Sequence, residues 1–66
     1  MSIGENIRKR REEKNITQAE LAKAAYVSLQ MISQVEANIK SPSLPVAFRI
    51  ADKLSCKVDD FRPDDF

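Results

Sequence analysis

The sequence predicts an all-α domain of five short helices, and three observations predict it. Ser2, Thr17, Ser28 and Ser43 each stand just ahead of a segment with helical patterning, where an N-cap is needed. Apolar residues recur three and four apart, as in Leu44, Ala47, Phe48, Ala51 and Leu54. No segment alternates polar and apolar residues as a half-buried strand would.

The first helix is expected from about Ile3 to Lys14. Ser2 and Glu5 form a capping box, in which each side chain bonds the other's backbone N–H. Ile3 and Ile7 lie on its inner face, and Asn15 closes it in a left-handed conformation. The second helix, about Gln18 to Ala25, repeats the box with Thr17 and Glu20, and Ile16 and Leu21 form a hydrophobic staple across its start. Ala22 and Ala25 are small enough to let two helix backbones approach. The third helix, about Leu29 to Glu36, is capped by Ser28 and stopped at Asn38, with Val27 and Ile32 in the staple positions. After a loop from Ile39 to Pro42, Ser43 caps the fourth helix, whose first turn tolerates Pro45 because no intrahelical N–H bond is needed there. A short fifth helix, about Val58 to Phe61, lacks a good N-cap, but Asp59 and Asp60 favour the positive end of its dipole.

The chain has 66 residues, enough for one domain spanning 1–66, with an acidic tail from about residue 62. Its lone cysteine, Cys56, excludes an internal disulfide, and the absence of histidine leaves no plausible zinc site. No cofactor or small-molecule ligand is expected. No apolar run approaches the ~20 residues of a membrane span, so the expected location is the cytoplasm. The formal net charge is +1, but it is unevenly spread. Arg8, Lys9, Arg10, Arg11 and Lys14 outnumber the acids near the N-terminus, whereas Asp52, Asp59, Asp60, Asp64 and Asp65 gather towards the other end. The acidic end should face away from any phosphate backbone. No histidine, Ser–Lys pair or partnered cysteine offers a catalytic constellation, so the chain is not expected to be an enzyme.

The stretch from Thr17 to Glu36 carries the chemistry. Two capped starts about eleven residues apart leave room for a short helix and a tight turn, the length of a helix-turn-helix. On the second of its helices Ile32 and Val35 share one face, while Leu29, Gln30, Ser33, Gln34 and Ala37 fall on the other. That second face has two amides and no acid. An amide can donate to and accept from one adenine edge, so Gln30 is expected to read bases on double-stranded DNA, with Leu29, Ser33 and Gln34 as base-reading neighbours on the same face.

These residues resemble the Xre family of helix-turn-helix proteins, which includes the phage Cro and lambda-type repressors. Gln18, Ala22, Tyr26, Ile32 and Glu36 stand at the family's signature positions, and SPSL at Ser41–Leu44, IADKL at Ile50–Leu54 and VDDF at Val58–Phe61 match it downstream. The resemblance runs from Ile3 to Phe61. It implies a five-helix, lambda-repressor-like DNA-binding domain whose second and third helices form the helix-turn-helix. It implies that Gln18, Ser28 and Lys40 meet the DNA backbone, with Arg10 a weaker candidate at a position that is commonly leucine. It also implies an ion pair between Arg11 and Glu36. Tyr26 departs from the family, which usually has glycine at this left-handed turn. Cys56 fills an apolar position.

Such proteins usually bind as dimers to paired half-sites. The aromatics near the end of the chain suggest a homodimer contact through Phe48, Val58, Phe61 and Phe66. The expected function is a sequence-specific, double-stranded DNA-binding transcriptional regulator that occupies an operator as a homodimer, a small autoregulator or repressor. The alternative is an antitoxin-like or protein-interaction module that keeps the fold.

Overall fold

Each helix begins where its cap residue stands. The computed structural model describes residues 2–62, with helices α1 (Ile3–Glu13), α2 (Gln18–Ala25), α3 (Leu29–Glu36) and α4 (Leu44–Lys53). The hydroxyls of Ser2, Thr17, Ser28 and Ser43 accept the N–H of Glu5, Glu20, Met31 and Val46 at 3.2, 3.1, 3.1 and 3.4 Å. Glu5 and Glu20 reach back to the N–H of Ser2 and Thr17, completing both capping boxes.

The expected fifth helix is instead a 3-10 turn over Val58–Phe61. Its closing bonds span three residues, from Asp60 N to Lys57 O at 2.9 Å and from Arg62 N to Asp59 O at 3.1 Å. Proline at position 63 has no N–H with which to make the α-helical bond to Asp59, and it biases Arg62 towards the extended backbone found there (φ −60, ψ 141). The start of the turn is held by the Asp60 carboxylate, which accepts the Lys57 N–H at 2.9 Å.

All four helices end alike, on a non-glycine residue in the left-handed region: Asn15, Tyr26, Asn38 and Ser55, with φ of 56, 59, 62 and 55. After each, the next residue's N–H returns to a carbonyl five residues back: Ile16 to Arg11, Val27 to Ala22, Ile39 to Gln34 and Cys56 to Ala51. This is the Schellman closure. It agrees with the expectation for Asn15 and Asn38; the stop at Ser55 had no sequence signal. Ile16, Val27 and Cys56 pack against the core, whereas Ile39 remains 70% exposed. Burial raises the pKa of the Cys56 thiol, in keeping with a packing role.

The core consists of Ile7, Leu21, Ala22, Ala25, Ile32, Val35, Ile50, Ala51, Leu54 and Phe61. α2 packs against both α3 and α4, while α1 packs against α3 and the 3-10 turn. Phe61 is 3% exposed, so its ring fills the core instead of offering surface to a second subunit. Phe66 lies outside the described residues. Asn6 Nδ2 donates to the carbonyls of Phe61 and Arg62 at 3.1 and 3.0 Å, fastening the 3-10 turn to α1.

Gly4 permits a close approach of two helices. A Cβ there would come within 3.0 Å of the carbonyl oxygens of Val35 and Glu36 and of Asn38 Oδ1. The start of α1 therefore lies directly on the end of α3. Asn38 joins the two, accepting the Gly4 N–H at 3.1 Å and donating to Ser2 Oγ at 2.8 Å. Among the described residues, no helix is long and apolar enough to cross a membrane.

Candidate nucleic-acid interface

α3 buries Ile32, Val35 and Glu36 and exposes Leu29, Gln30, Ser33 and Ala37, with Gln34 half-buried. Four of the exposed or half-exposed side chains are thus the expected base-reading set, all on one arc of one helix. Burying an acid is costly unless it is paired, and Glu36 is fully engaged. It accepts from Arg11 Nε at 2.7 Å, from Arg11 Nη2 at 3.1 Å and from Gln18 Nε2 at 3.0 Å. The remaining Arg11 donor, Nη1, reaches the carbonyl of Ile16 at 2.8 Å. The hydrogen bonds to Glu36 raise the Arg11 pKa, and burial opposes them only in part. Three segments are joined at this carboxylate: the middle of α1, the first residue of α2 and the last residue of α3. The only acid of α3 points inward, so its outward face carries no negative charge.

Gln18 spends its amide nitrogen on Glu36 and stays half-buried, at the edge of a shallow polar hollow of about 350 Å³. Arg8, Arg11, Ser33 and Ala37 line the same hollow. Arg8 was not singled out from the sequence. Its spacing of three from Arg11 on a helix was the available signal, because it puts both on one face. Arg8 is exposed and lies 3.4 Å from Glu12.

The other backbone candidates are dispersed around α3. Ser28 is exposed at its N-terminus, with its hydroxyl committed to the Met31 N–H. Lys40 is exposed in the loop after its C-terminus, beside Ser41 and Pro42. Arg10 is elsewhere: it is half-buried and lines a separate hollow with Asn6, Lys9, Glu13 and Asp60, so it is not brought together with Gln18 and Ser33.

The turn between α2 and α3 is the left-handed one expected, with Tyr26 at φ 59 and ψ 38. Tyr26 is 80% exposed, and its side chain does not enter the core. The Arg49 guanidinium instead sits 5.1 Å from the ring centroid, and Arg49 Nη1 donates to the Ala25 carbonyl at 3.4 Å. A residue of α4 thereby braces the turn, a link without a local sequence signal.

Residues 7–61 match the family described as helix-turn-helix, HTH_3. A crystal structure of the P22 c2 repressor protein in complex with a synthetic operator is similar to this chain, with 34% identity, coverage of 92% of either chain and a TM-score of 0.88. The solution structure of the DNA-binding domain of the P22 c2 repressor is equally similar, at 34% identity and a TM-score of 0.88, covering 92% of this chain and 80% of that one. No curated protein sequence matches significantly. With its two capped helices, its left-handed turn and its outward amides in this arrangement, the chain belongs to the HTH_3 helix-turn-helix family, the Xre or Cro/lambda-repressor-like group.

Proposed function

We propose that this protein is a sequence-specific, double-stranded DNA-binding transcriptional regulator that occupies an operator as a homodimer. The observation that carries this reading is the acid-free outward face of α3, with Glu36 turned inward onto Arg11 and Gln18. Phosphates repel exposed carboxylates, so an acid-free outward face lowers the electrostatic cost of bringing α3 into a groove. Gln30 would pair with an adenine edge, with Leu29, Ser33 and Gln34 as its neighbours. Gln18, Ser28 and Lys40 would hold the flanking backbone. The similarity to a repressor described in complex with an operator supports the same reading.

The size of the domain supports the dimeric reading. The described residues extend 30 Å along their longest axis, while half-sites in adjacent major grooves lie ~34 Å apart. One copy cannot place a helix in both. The exposed apolar residues on one side are Leu44 (63%), Phe48 (54%) and Ile3 (38%), and Leu44 borders an open groove of about 500 Å³ that Ile3, Pro42, Ala47 and Val58 also line. A patch of this kind suits a second copy. Val58 lines the groove and Phe61 supports it from the core, while Phe48 lies one helical turn from Leu44 on α4.

Selection of bound sites from random double-stranded DNA, followed by sedimentation equilibrium of the free protein and its complex at micromolar concentration, tests both parts. A two-fold symmetric consensus bound by two copies is expected. The absence of any sequence preference would overturn the DNA-reading role and favour a protein-interaction module. A single copy on DNA and a monomer in solution would overturn the dimer.

A further inference from the structure

We propose that Leu29 reads the 5-methyl group of a pyrimidine in the major groove, so that the operator carries a thymine, or equally a 5-methylcytosine, opposite it. The inference rests on the proposed DNA-binding role and assigns a ligand chemistry to one position of that site. Leu29 is the first residue of α3 and is 52% exposed, although it is a large apolar side chain. The other outward residues of that face, Gln30, Ser33, Gln34 and Ala37, are polar or small. Leucine is not required for the fold here: the helix start is already made by Ser28, whose hydroxyl holds the Met31 N–H.

The N-terminal residues of a recognition helix are those that meet base edges. A leucine in that place can neither donate nor accept a hydrogen bond. Against guanine, adenine or unmodified cytosine it would strip water from a donor or acceptor and return nothing. The 5-methyl of thymine is the one apolar group that the base pairs present in the major groove. Leu29 therefore selects by attraction to the methyl and by exclusion of polar edges. Cytosine methylated at C5 presents the same methyl, and DNA methylation at that position becomes something this protein can sense.

The experiment starts from the operator obtained by site selection. Each thymine is replaced singly by deoxyuridine, which removes only the methyl group, and affinity is measured for the wild-type protein and for Leu29→Ala. Helical content by circular dichroism confirms that the exposed substitution leaves the fold intact. At one position per half-site, the wild-type protein should lose about four-fold on loss of the methyl, equivalent to the ~0.8 kcal/mol of one buried methylene-sized group. Leu29→Ala should be indifferent to that replacement. At the same position cytosine should bind more weakly than 5-methylcytosine for the wild-type protein, and the two should bind alike for Leu29→Ala. A wild-type protein insensitive to every uracil overturns the inference, as does a uracil effect that survives in Leu29→Ala. Both failures leave operator binding itself intact. Failure to select any operator would instead remove the DNA-reading role on which the inference stands.

Discussion

Arg11 grips Glu36 through two hydrogen bonds, Nε to Oε2 at 2.7 Å and Nη2 to Oε1 at 3.1 Å, and so fixes the end of α3 against α1. The two side chains are only 12% and 3% exposed. Removing one partner of a buried pair strands the other charge, at a cost of ~3–5 kcal/mol. Arg11→Met should therefore lower the urea midpoint markedly, because ~3–5 kcal/mol is a large share of the ~5–15 kcal/mol that small domains hold in total. The double variant Arg11→Met/Glu36→Leu should recover most of that stability, since an apolar pair of similar volume leaves no stranded charge. Its DNA affinity should stay low, because Gln18 loses its brace. An Arg11→Met protein within ~1 kcal/mol of wild type would show that water reaches the carboxylate.

Gly4 reverses a familiar expectation. In an exposed helix Gly→Ala gains up to ~1 kcal/mol. Here the added Cβ would press on the carbonyls of Val35 and Glu36 and on Asn38 Oδ1. Gly4→Ala should cost ~1–3 kcal/mol by overpacking, read as a fall in the urea midpoint. A gain in stability would mean that α1 slides away from α3 freely.

Tyr26 holds a left-handed turn with an exposed ring. Tyr26→Gly should relieve ~1–2 kcal/mol of backbone cost. The loss of the Arg49 contact, ~0.5–1 kcal/mol at an exposed site, and the entropy of an unfolded glycine, ~0.4–1 kcal/mol, offset most of it. Near-neutral stability with retained DNA affinity is expected, whereas Tyr26→Ala, which keeps the strain and loses the ring, should be the less stable of the two. Chemical denaturation ranks them; a loss above ~2 kcal/mol for Tyr26→Gly would make the ring a packing element.

The two capping boxes should make the fold acid-sensitive. Hydrogen bonds from the Ser2 hydroxyl and backbone N–H hold Glu5 below its ordinary pKa of 4.5, and those from the Thr17 backbone N–H and hydroxyl do the same for Glu20. A folded pKa below the unfolded one contributes stability that is present above the unfolded value and lost as pH falls through the folded value. Stability should therefore decline below about pH 4.5, and Glu5→Gln/Glu20→Gln, which keeps an acceptor for each box without a titrating group, should flatten that decline. Urea midpoints between about pH 5 and pH 3 provide the comparison. An unchanged slope would place the acid sensitivity elsewhere.

Lys40 and Arg10 occupy different surroundings, and salt dependence separates them. Lys40→Ala should weaken specific and nonspecific DNA binding alike and lower the salt slope by about one unit. Arg10→Ala, in its hollow with Asp60, should leave the slope nearly unchanged. A salt slope that responds to Arg10 and not to Lys40 would exchange their roles.

Whatever depends on near neighbours along the chain could be read from the residues alone. The caps at Ser2, Thr17, Ser28 and Ser43 act within three residues, so the four helix starts were legible, as were the left-handed stops at Asn15 and Asn38, whereas the left-handed turn at Tyr26 was expected only from the family resemblance. The outward set on α3 was legible for the same reason, because one helical period sorts Ile32 and Val35 from Gln30 and Ser33. Arg11 with Glu36 could be named only through the family resemblance. Packing of the whole molecule decided the contacts between residues far apart in sequence: Gly4 beneath the end of α3, Asn6 on the 3-10 turn, Arg49 over Tyr26, and Arg8 in one hollow with Gln18 while Arg10 lines another with Asp60. Such contacts depend on how helices are set against one another, and that is determined by close packing of the whole core, which no single segment of the chain contains.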